Sequence, residues 1–465
     1  MKLFTNFKYA TELLDVAKLF FADIEQTDDI VASDISVVET EQNCKTVYVA
    51  KYNDCIASRT CDMVENELVK IRYQKRCAKI ALYAVLKQST GISMPWGSLT
   101  GIRPTKLARQ LIKENLDWQQ TFREVFDVSD AKTDLTADIL QQQGNLANVD
   151  ENCADLYIGI PFCVSRCSYC SFTSGEIERL KRYVEPYVDA LCLDIRKTIQ
   201  FAAEHKIRLK NVYFGGGTPT SLSAAQLDKI MECITFEPDE YTVEAGRPDT
   251  VTKDKLDVFC RHGVNRISVN PQTFNQSVLD VIGRKHTVND IYDKYELAKQ
   301  YQFIINMDLI AGLPSETLEM FRFSVDEAIR LAPDNITVHT LALKKGSVLK
   351  ESNYSNDANS VKQMVDYAHR QLYSNGYFPY YMYRQKYMSD NLENVGFCKP
   401  NTACAYNIGI MEEITSIMAC GTGAISKRVF STEDRIERAA NAKDVITYIE
   451  RTDDYLSKKF ELFSK

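Results

Sequence analysis

The chain has 465 residues, 45% of them apolar and 26% charged, with a formal net charge of −7. That length exceeds one ordinary hydrophobic core and predicts a globular protein of two or three domains. It excludes a small disulfide scaffold, and no stretch reaches the roughly 20 uncharged apolar residues that a membrane span needs.

The first thirty residues carry Lys2, Lys8, Glu12, Asp15, Lys18 and Asp23, which interrupt any apolar signal-peptide core, so a cytoplasmic protein is expected. Most of the 14 cysteines are then expected as reduced thiols. Residues 1–150 read as an α+β domain. "ISVVETE" and "KTVYVAKYN" alternate as strands, and helical patterns cover "ENELVKIRYQKRCAKIALYAVLKQ" and "TGIRPTKLARQLIKEN". Between Leu68 and Lys113 stand ten Lys or Arg residues and no Asp or Glu. This basic segment is either a solvated helix face or a surface for an acidic substrate or nucleic acid. "QQQGNLANVDEN" is read as a linker.

From about 151 to 345 strand and helix patterns alternate. Strands are expected at "DLYIGI", "NVYFGG", "YTVEA", "NRISVN", "FIINMDLI" and "NITVHTL", which implies βαβ units and a parallel α/β sheet. A doubly wound sheet and an incomplete (β/α)6 barrel both fit, and both place chemistry at the carboxyl ends of their strands. Residues 346–465 read as a third, smaller domain, in which "GTGAIS" suggests close backbone packing.

Cys163, Cys167 and Cys170 form a C-x3-C-x2-C array directly after the first of these strands. Thiolates bind iron, and three of them around a [4Fe–4S] cluster leave one iron open to a further ligand. The plain alternatives are a zinc knuckle with a distant fourth ligand, or coincidence. "GGGTPT", from Gly215 through Gly216, Gly217 and Thr218 to Thr220, ends the second strand. Its glycines suit either exposed N–H groups for a carboxylate or phosphate, or a tight turn. Glu244 ends the third strand and suits an ammonium or an ion pair with Arg247.

The cysteine array with Tyr169 before its last cysteine resembles the signature of radical S-adenosylmethionine (SAM) enzymes. "YIGIPFC", "FGGGTPT", "NRISVNPQTFN", "IGRKH" and "NMDLIAGLP", in that order, resemble the oxygen-independent coproporphyrinogen III oxidase family, and "TGIRPTK" resembles its HemZ branch. The resemblance implies an incomplete (β/α)6 radical-SAM barrel flanked by an α+β N-terminal domain and a small C-terminal domain. It implies a [4Fe–4S] cluster on the three cysteines. It also implies SAM held by the 215–218 loop, Glu244, Gln272, Arg284 and Asp308, with Tyr157 lying over substrate or co-substrate. An ordinary core aromatic is the other reading of Tyr157.

The implied activity is oxidative decarboxylation of coproporphyrinogen III to protoporphyrinogen IX, a step of haem biosynthesis. The partners implied are a porphyrinogen substrate and an external flavodoxin- or ferredoxin-like electron donor, with no membrane. A radical enzyme acting on RNA ranks last, because no RNA-binding module is recognised. Arg103 and Lys106 are candidates for the substrate's carboxylates. Two departures bear on the branch. Phe172 stands where characterised oxidases of this type carry a further cysteine, and phenylalanine there resembles the haem chaperones. "CAYNIGIMEE" lacks the histidine that those chaperones present just before the Asn.

Overall fold

The computed structural model describes the chain except residues 43, 44, 62–65, 102, 149, 173, 345, 353, 355, 356, 386–391 and 434. It resolves into two compact units, Met1–Ala137 with Asp390–Leu392, and Asp138–Ser389 with Glu393–Lys465.

In the first unit, β1 (Lys2–Thr5), β2 (Glu25–Thr27), β3 (Ile35–Gln42), β4 (Lys45–Tyr52) and β5 (Cys55–Cys61) form a sheet in the order β2-β1-β3-β4-β5. Thr46, Tyr48 and Ala50 alternate inward along β4, as a half-buried strand requires. The helix Glu67–Thr90 starts at Asn66, whose side chain accepts from the N–H groups of Leu68 and Val69, and ends at Gly91 with φ +70°. Its Ala78, Leu82 and Leu86 pack in the same core as Tyr48.

The basic segment is supplied with acids from outside itself. Lys75 and Lys79 reach Glu12 at 3.1 and 3.3 Å, and Lys87 reaches Asp127 at 2.7 Å. It is therefore neither purely solvated nor wholly unpaired.

The second unit is built on β6 (Cys153–Ile160), a two-residue pair β7 (Phe162–Cys163) and β8 (Gly175–Glu176), β9 (Arg208–Gly216), β10 (Glu240–Val243), β11 (Arg266–Ser268), β12 (Ile304–Ala311) and β13 (Asn335–Thr340). The six expected strands are present. They neighbour one another in chain order, β6-β9-β10-β11-β12-β13, and every pair is parallel. A doubly wound sheet reverses its strand order part-way; this one does not, so it is an incomplete (β/α)6 barrel. Helices between the strands begin at side-chain caps such as Ser223 and Thr287, each in a capping box.

Residues read from the sequence as a third domain extend this same sheet. β14 (Phe378–Tyr383) and β15 (Asn394–Cys398) add antiparallel beyond β13, while β16 (Ser416–Cys420) pairs parallel with β6, followed by β17 (Ile425–Phe430) and β18 (Arg435–Ala440). The close packing expected of "GTGAIS" is observed at Gly421. It has φ +100°, and a Cβ there would lie 2.4 Å from the Gly159 carbonyl oxygen.

A buried polar cluster ties this strand end to two helices. Lys459, on the helix Thr452–Ser464, pairs with Asp194, on the helix Lys181–Glu204, at 2.6 Å; the two side chains are 1% and 2% exposed. Tyr448 donates to Asp194 at 2.7 Å, and the Gly421 N–H reaches it at 3.3 Å. Lys459→Ala would strand the Asp194 carboxylate in the interior and is expected to cost about 3–5 kcal/mol, read from urea unfolding. A loss under about 1 kcal/mol, the scale of a surface pair, would show that the cluster does not bind the helices to the sheet.

Candidate active site

The residues singled out in the sequence come from successive strands of the barrel. Tyr157 lies on β6, Gly215 and Gly216 end β9, Glu244 follows β10, Gln272 follows β11, and Asp308 lies on β12. Parallel strands bring their carboxyl ends to one edge, so residues far apart in the chain meet there.

The cysteine loop leaves β6 through β7. The Cys163 carbonyl accepts from Ile177 N–H at 2.9 Å, Cys170 N–H donates to the Cys167 carbonyl at 3.1 Å, and Ser168 N–H donates to Ile282 at 3.0 Å. Cys163 and Cys167 both lie close enough to Cys170 to influence its thiol. Burial, the largest influence, and the neighbouring Cys167 and Cys163 raise the Cys170 thiol above its ordinary range. Among the described residues, no three His, Cys, Asp or Glu side chains group tightly enough to hold one metal ion.

The glycine loop lies directly against these thiols. A Cβ on Gly217 would fall 2.6 Å from the Phe162 carbonyl oxygen and 3.0 Å from Cys163 Sγ, and Thr218 Oγ1 is 3.5 Å from that sulfur. The N–H groups of Gly217 and Thr218 are not free, as one reading of the loop had them. They donate to the Ile160 and Phe162 carbonyls at 2.7 Å each. The glycines serve close approach, not a nest of exposed donors.

Two carboxylates face the same interior. Glu244 is not paired with Arg247, because Arg247 binds Asp249 instead. Glu244 accepts from the Tyr213 hydroxyl at 2.5 Å. Burial pushes it up to about 7; the Tyr213 hydrogen bond opposes this, and Asp308 adds to it. A buried carboxylate in that condition attracts a cation. Asp308 accepts from Asn270 and Asn306, each at 2.7 Å, and lies 3.7 Å from His339 Nε2. Burial pushes Asp308 up, but the neighbouring His339, Asn306 and Thr337 side chains hold it below the usual carboxylate range.

Gln272 has φ +67°, a strained value for a non-glycine residue, and is held there by its N–H to the Asp308 carbonyl at 2.9 Å. Its Oε1 is buried without a hydrogen-bond partner, as is Nε of Arg284. Arg284 donates to the Asn270 carbonyl at 2.6 Å and lies 3.4 Å from the Tyr169 hydroxyl, which puts it beside the cysteine loop.

Tyr157 stacks near-parallel with Tyr213 and Tyr406, at centroid distances of 6.3 and 6.5 Å, and Tyr213 stacks on Tyr406 at 4.2 Å. Tyr380 and Tyr381 belong to the same cluster. Sequence reading missed Tyr213, Asn270, Asn306, His339 and these C-terminal tyrosines. The available signal was period-two alternation: Asn306 and Asp308 interleave with buried Ile305, Met307 and Leu309. Phe172 is 65% exposed just after the cysteine loop. Arg103 belongs to the first compact unit, where it lines a cavity of about 170 Å³ with Arg76, Lys79, Leu99 and Phe126; Lys106 lies on the adjoining helix Pro104–Lys113.

The raised Glu244 has a stability consequence. Its folded value of about 7 exceeds its ordinary 4.5, so the buried charge destabilises the ligand-free chain progressively between those values and fully above them. Glu244→Gln is expected to stabilise the ligand-free chain at pH 8, with the gain vanishing as the pH falls toward 4.5. Urea midpoints that shift equally at both ends would contradict this.

Residues 157–328 match the Radical SAM superfamily. The chain is 38% identical over 417 residues to the oxygen-independent coproporphyrinogen-III oxidase-like protein HemZ of Bacillus subtilis (strain 168), covering 86% of this chain and 83% of that one. It is 37% identical over 199 residues to the heme chaperone HemW of the same organism, which is 41% of this chain and 51% of the chaperone. Coproporphyrinogen III oxidase (HemN) from Escherichia coli shares the fold, with a TM-score of 0.52 at 23% identity over 70% of this chain and 73% of that one. Radical SAM proteins use a [4Fe–4S] cluster and S-adenosylmethionine. The chain belongs to the radical SAM superfamily and, within it, to the oxygen-independent coproporphyrinogen III oxidase family of HemN, HemW and HemZ.

Proposed function

We propose that this chain catalyses the oxygen-independent oxidative decarboxylation of coproporphyrinogen III to protoporphyrinogen IX, with electrons from a flavodoxin- or ferredoxin-like donor. The observation that carries the reading is the meeting, at one end of the barrel, of the three-cysteine loop with the buried pair Glu244 and Asp308. The residues fit the cofactors. Gly217 lies so close to Cys163 that any larger side chain would enter the thiol site. Gln272 Oε1 and Arg284 Nε are buried and unpartnered, and Glu244 is a carboxylate wanting a cation.

In this reading Cys163, Cys167 and Cys170 hold the cluster. Glu244 takes the methionine ammonium, Arg284 its carboxylate, and Gln272 and Asp308 the methionine or ribose portion, while Gly215, Gly216, Gly217 and Thr218 shape the methionine end. When bound, the cluster and SAM supply one-electron chemistry that abstracts a hydrogen atom from substrate. The chain's own part is orientation and exclusion of water. The near-parallel rings of Tyr157, Tyr213 and Tyr406 would offer aromatic surface to the pyrrole rings of the porphyrinogen, which is puckered at its sp3 meso carbons.

A second reading, a haem carrier that keeps the cluster and SAM core, is favoured by Phe172, whose exposed ring offers an apolar plate where further sulfur chemistry would need a thiol.

The test is an anaerobic assay of reconstituted protein with reductant and SAM, with and without coproporphyrinogen III. Matching amounts of 5′-deoxyadenosine and CO2, formed only with substrate, are expected. Nucleoside without CO2 would reject this substrate, and stoichiometric haem uptake with neither product would favour the carrier. Gly217→Ala is expected to lower iron retention about tenfold or more, on the scale of groups that support metal ligands. Unchanged iron and sulfide content would show that the Gly217 contact does not shape the cysteine site.

A further inference from the structure

Arg247 is used by none of the roles above, yet it is among the most buried cations of the chain, 3% exposed. It stands in "EAGRPDT", three residues after Glu244. Its Nη1 donates to Ser165 Oγ at 2.7 Å and to the Ser165 carbonyl at 3.3 Å. Ser165 lies midway between Cys163 and Cys167, so the guanidinium grips the cysteine loop from beneath. The other side of the fork, Nε and Nη2, binds both oxygens of Asp249 at 3.0 and 2.9 Å.

The grip is braced on three sides. Ser165 Oγ also donates to the Gly283 carbonyl at 3.1 Å, joining the loop to the "IGRKH" segment. Thr250 donates through both its hydroxyl and its N–H to the Arg247 carbonyl, at 2.7 and 3.0 Å, which fixes the arginine backbone. His286, whose side chain is fully buried, lies 3.7 Å from Asp249. A guanidinium is always charged in proteins, and a planar fork satisfied on both edges cannot rotate away.

We infer that Arg247, oriented by Asp249, is a positioning residue that holds the cysteine loop and sets how readily its cluster accepts an electron. This rests on the proposal that the three cysteines hold the cluster. The physical basis is that reduction adds a negative charge at the loop. The Arg247–Asp249 pair is a dipole with its positive end on the loop and its negative end behind, so it stabilises the reduced form; hydrogen bonds and charge around such clusters are the protein's means of tuning potential. The cation serves better paired than alone, since an unmatched buried guanidinium would destabilise the fold.

Because the pair is a dipole, its two halves make opposite predictions. Arg247→Gln removes the positive end and is expected to move the reduction midpoint negative by about 59 mV, a tenfold change for one electron. Asp249→Asn exposes the positive end and is expected to move it in the positive direction. Arg247→Lys keeps the charge but loses the fork, and is expected to shift the midpoint less than Arg247→Gln does. Potentials are read by spectroscopic redox titration of reconstituted protein, with iron content measured in parallel. A residue that merely stiffened the loop would shift both variants the same way or neither, and either result at unchanged iron content overturns the inference. If Arg247→Gln retains no iron, Asp249→Asn decides alone, an absent or negative shift counting against. Wild-type protein that takes up no cluster would instead overturn the cofactor assignment beneath the inference, and the inference with it.

Discussion

A charge taken out of water must be met by another charge or by hydrogen bonds, and at the carboxyl edge of this barrel that constraint governs the whole site. Four charged side chains, Glu244, Arg247, Arg284 and Asp308, lie there buried or half-buried. They are matched unequally. Arg247 is satisfied on both edges and Asp308 is surrounded by amide and imidazole donors, whereas Glu244 has one tyrosine hydroxyl and Arg284 keeps an unpartnered Nε. The well-matched pair is architecture. In the proposed reading the under-matched pair, one anion and one cation, receives a zwitterionic ligand, the ammonium and carboxylate of an amino acid.

The scaffold makes this arrangement affordable by fixing the backbone first. The parallel strands run in chain order, and two flanking sets of strands continue the sheet beyond β6 and β13. β16 is locked beside β6 by the Gly421–Gly159 contact and by the buried Asp194–Lys459 cluster beneath it. Since β6 runs straight into the cysteine loop, the position of that loop depends on residues near the end of the chain. Of the two tyrosines that stack beside Tyr157, Tyr406 comes from the C-terminal part of the chain and Tyr213 from β9.

Relatives of this chain include an oxidase, an oxidase-like protein and haem chaperones. The parts that fit the cofactors, the cysteine loop and the polar strand ends, are what a radical reaction and a cofactor-bearing carrier would have in common. In the proposed reading, what separates the two activities is what would meet a macrocycle in the second unit: the stacked tyrosines and Phe172.

Period-two and period-3.6 patterning placed all six barrel strands and the main helices, because apolar alternation is a local property that burial on one face imposes on the sequence. The C-x3-C-x2-C spacing likewise singled out the loop, since three thiols within a few residues of one another leave a short, local signature. Whether the sheet was doubly wound or a barrel was not legible, because strand neighbours are set by long-range packing. Nor were the partners of the charges. Glu244 and Arg247 are three residues apart, so an ion pair between them stood open beside an ammonium ligand, but a strand end and the turn after it send them to Tyr213 and Asp249. The basic segment looked unopposed because its acids, Glu12 and Asp127, lie outside it in sequence. The sequence by itself determined the six barrel strands and the place of the three-cysteine loop after the first of them; tertiary structure alone decided which charges are matched, because matching depends on distances across the fold.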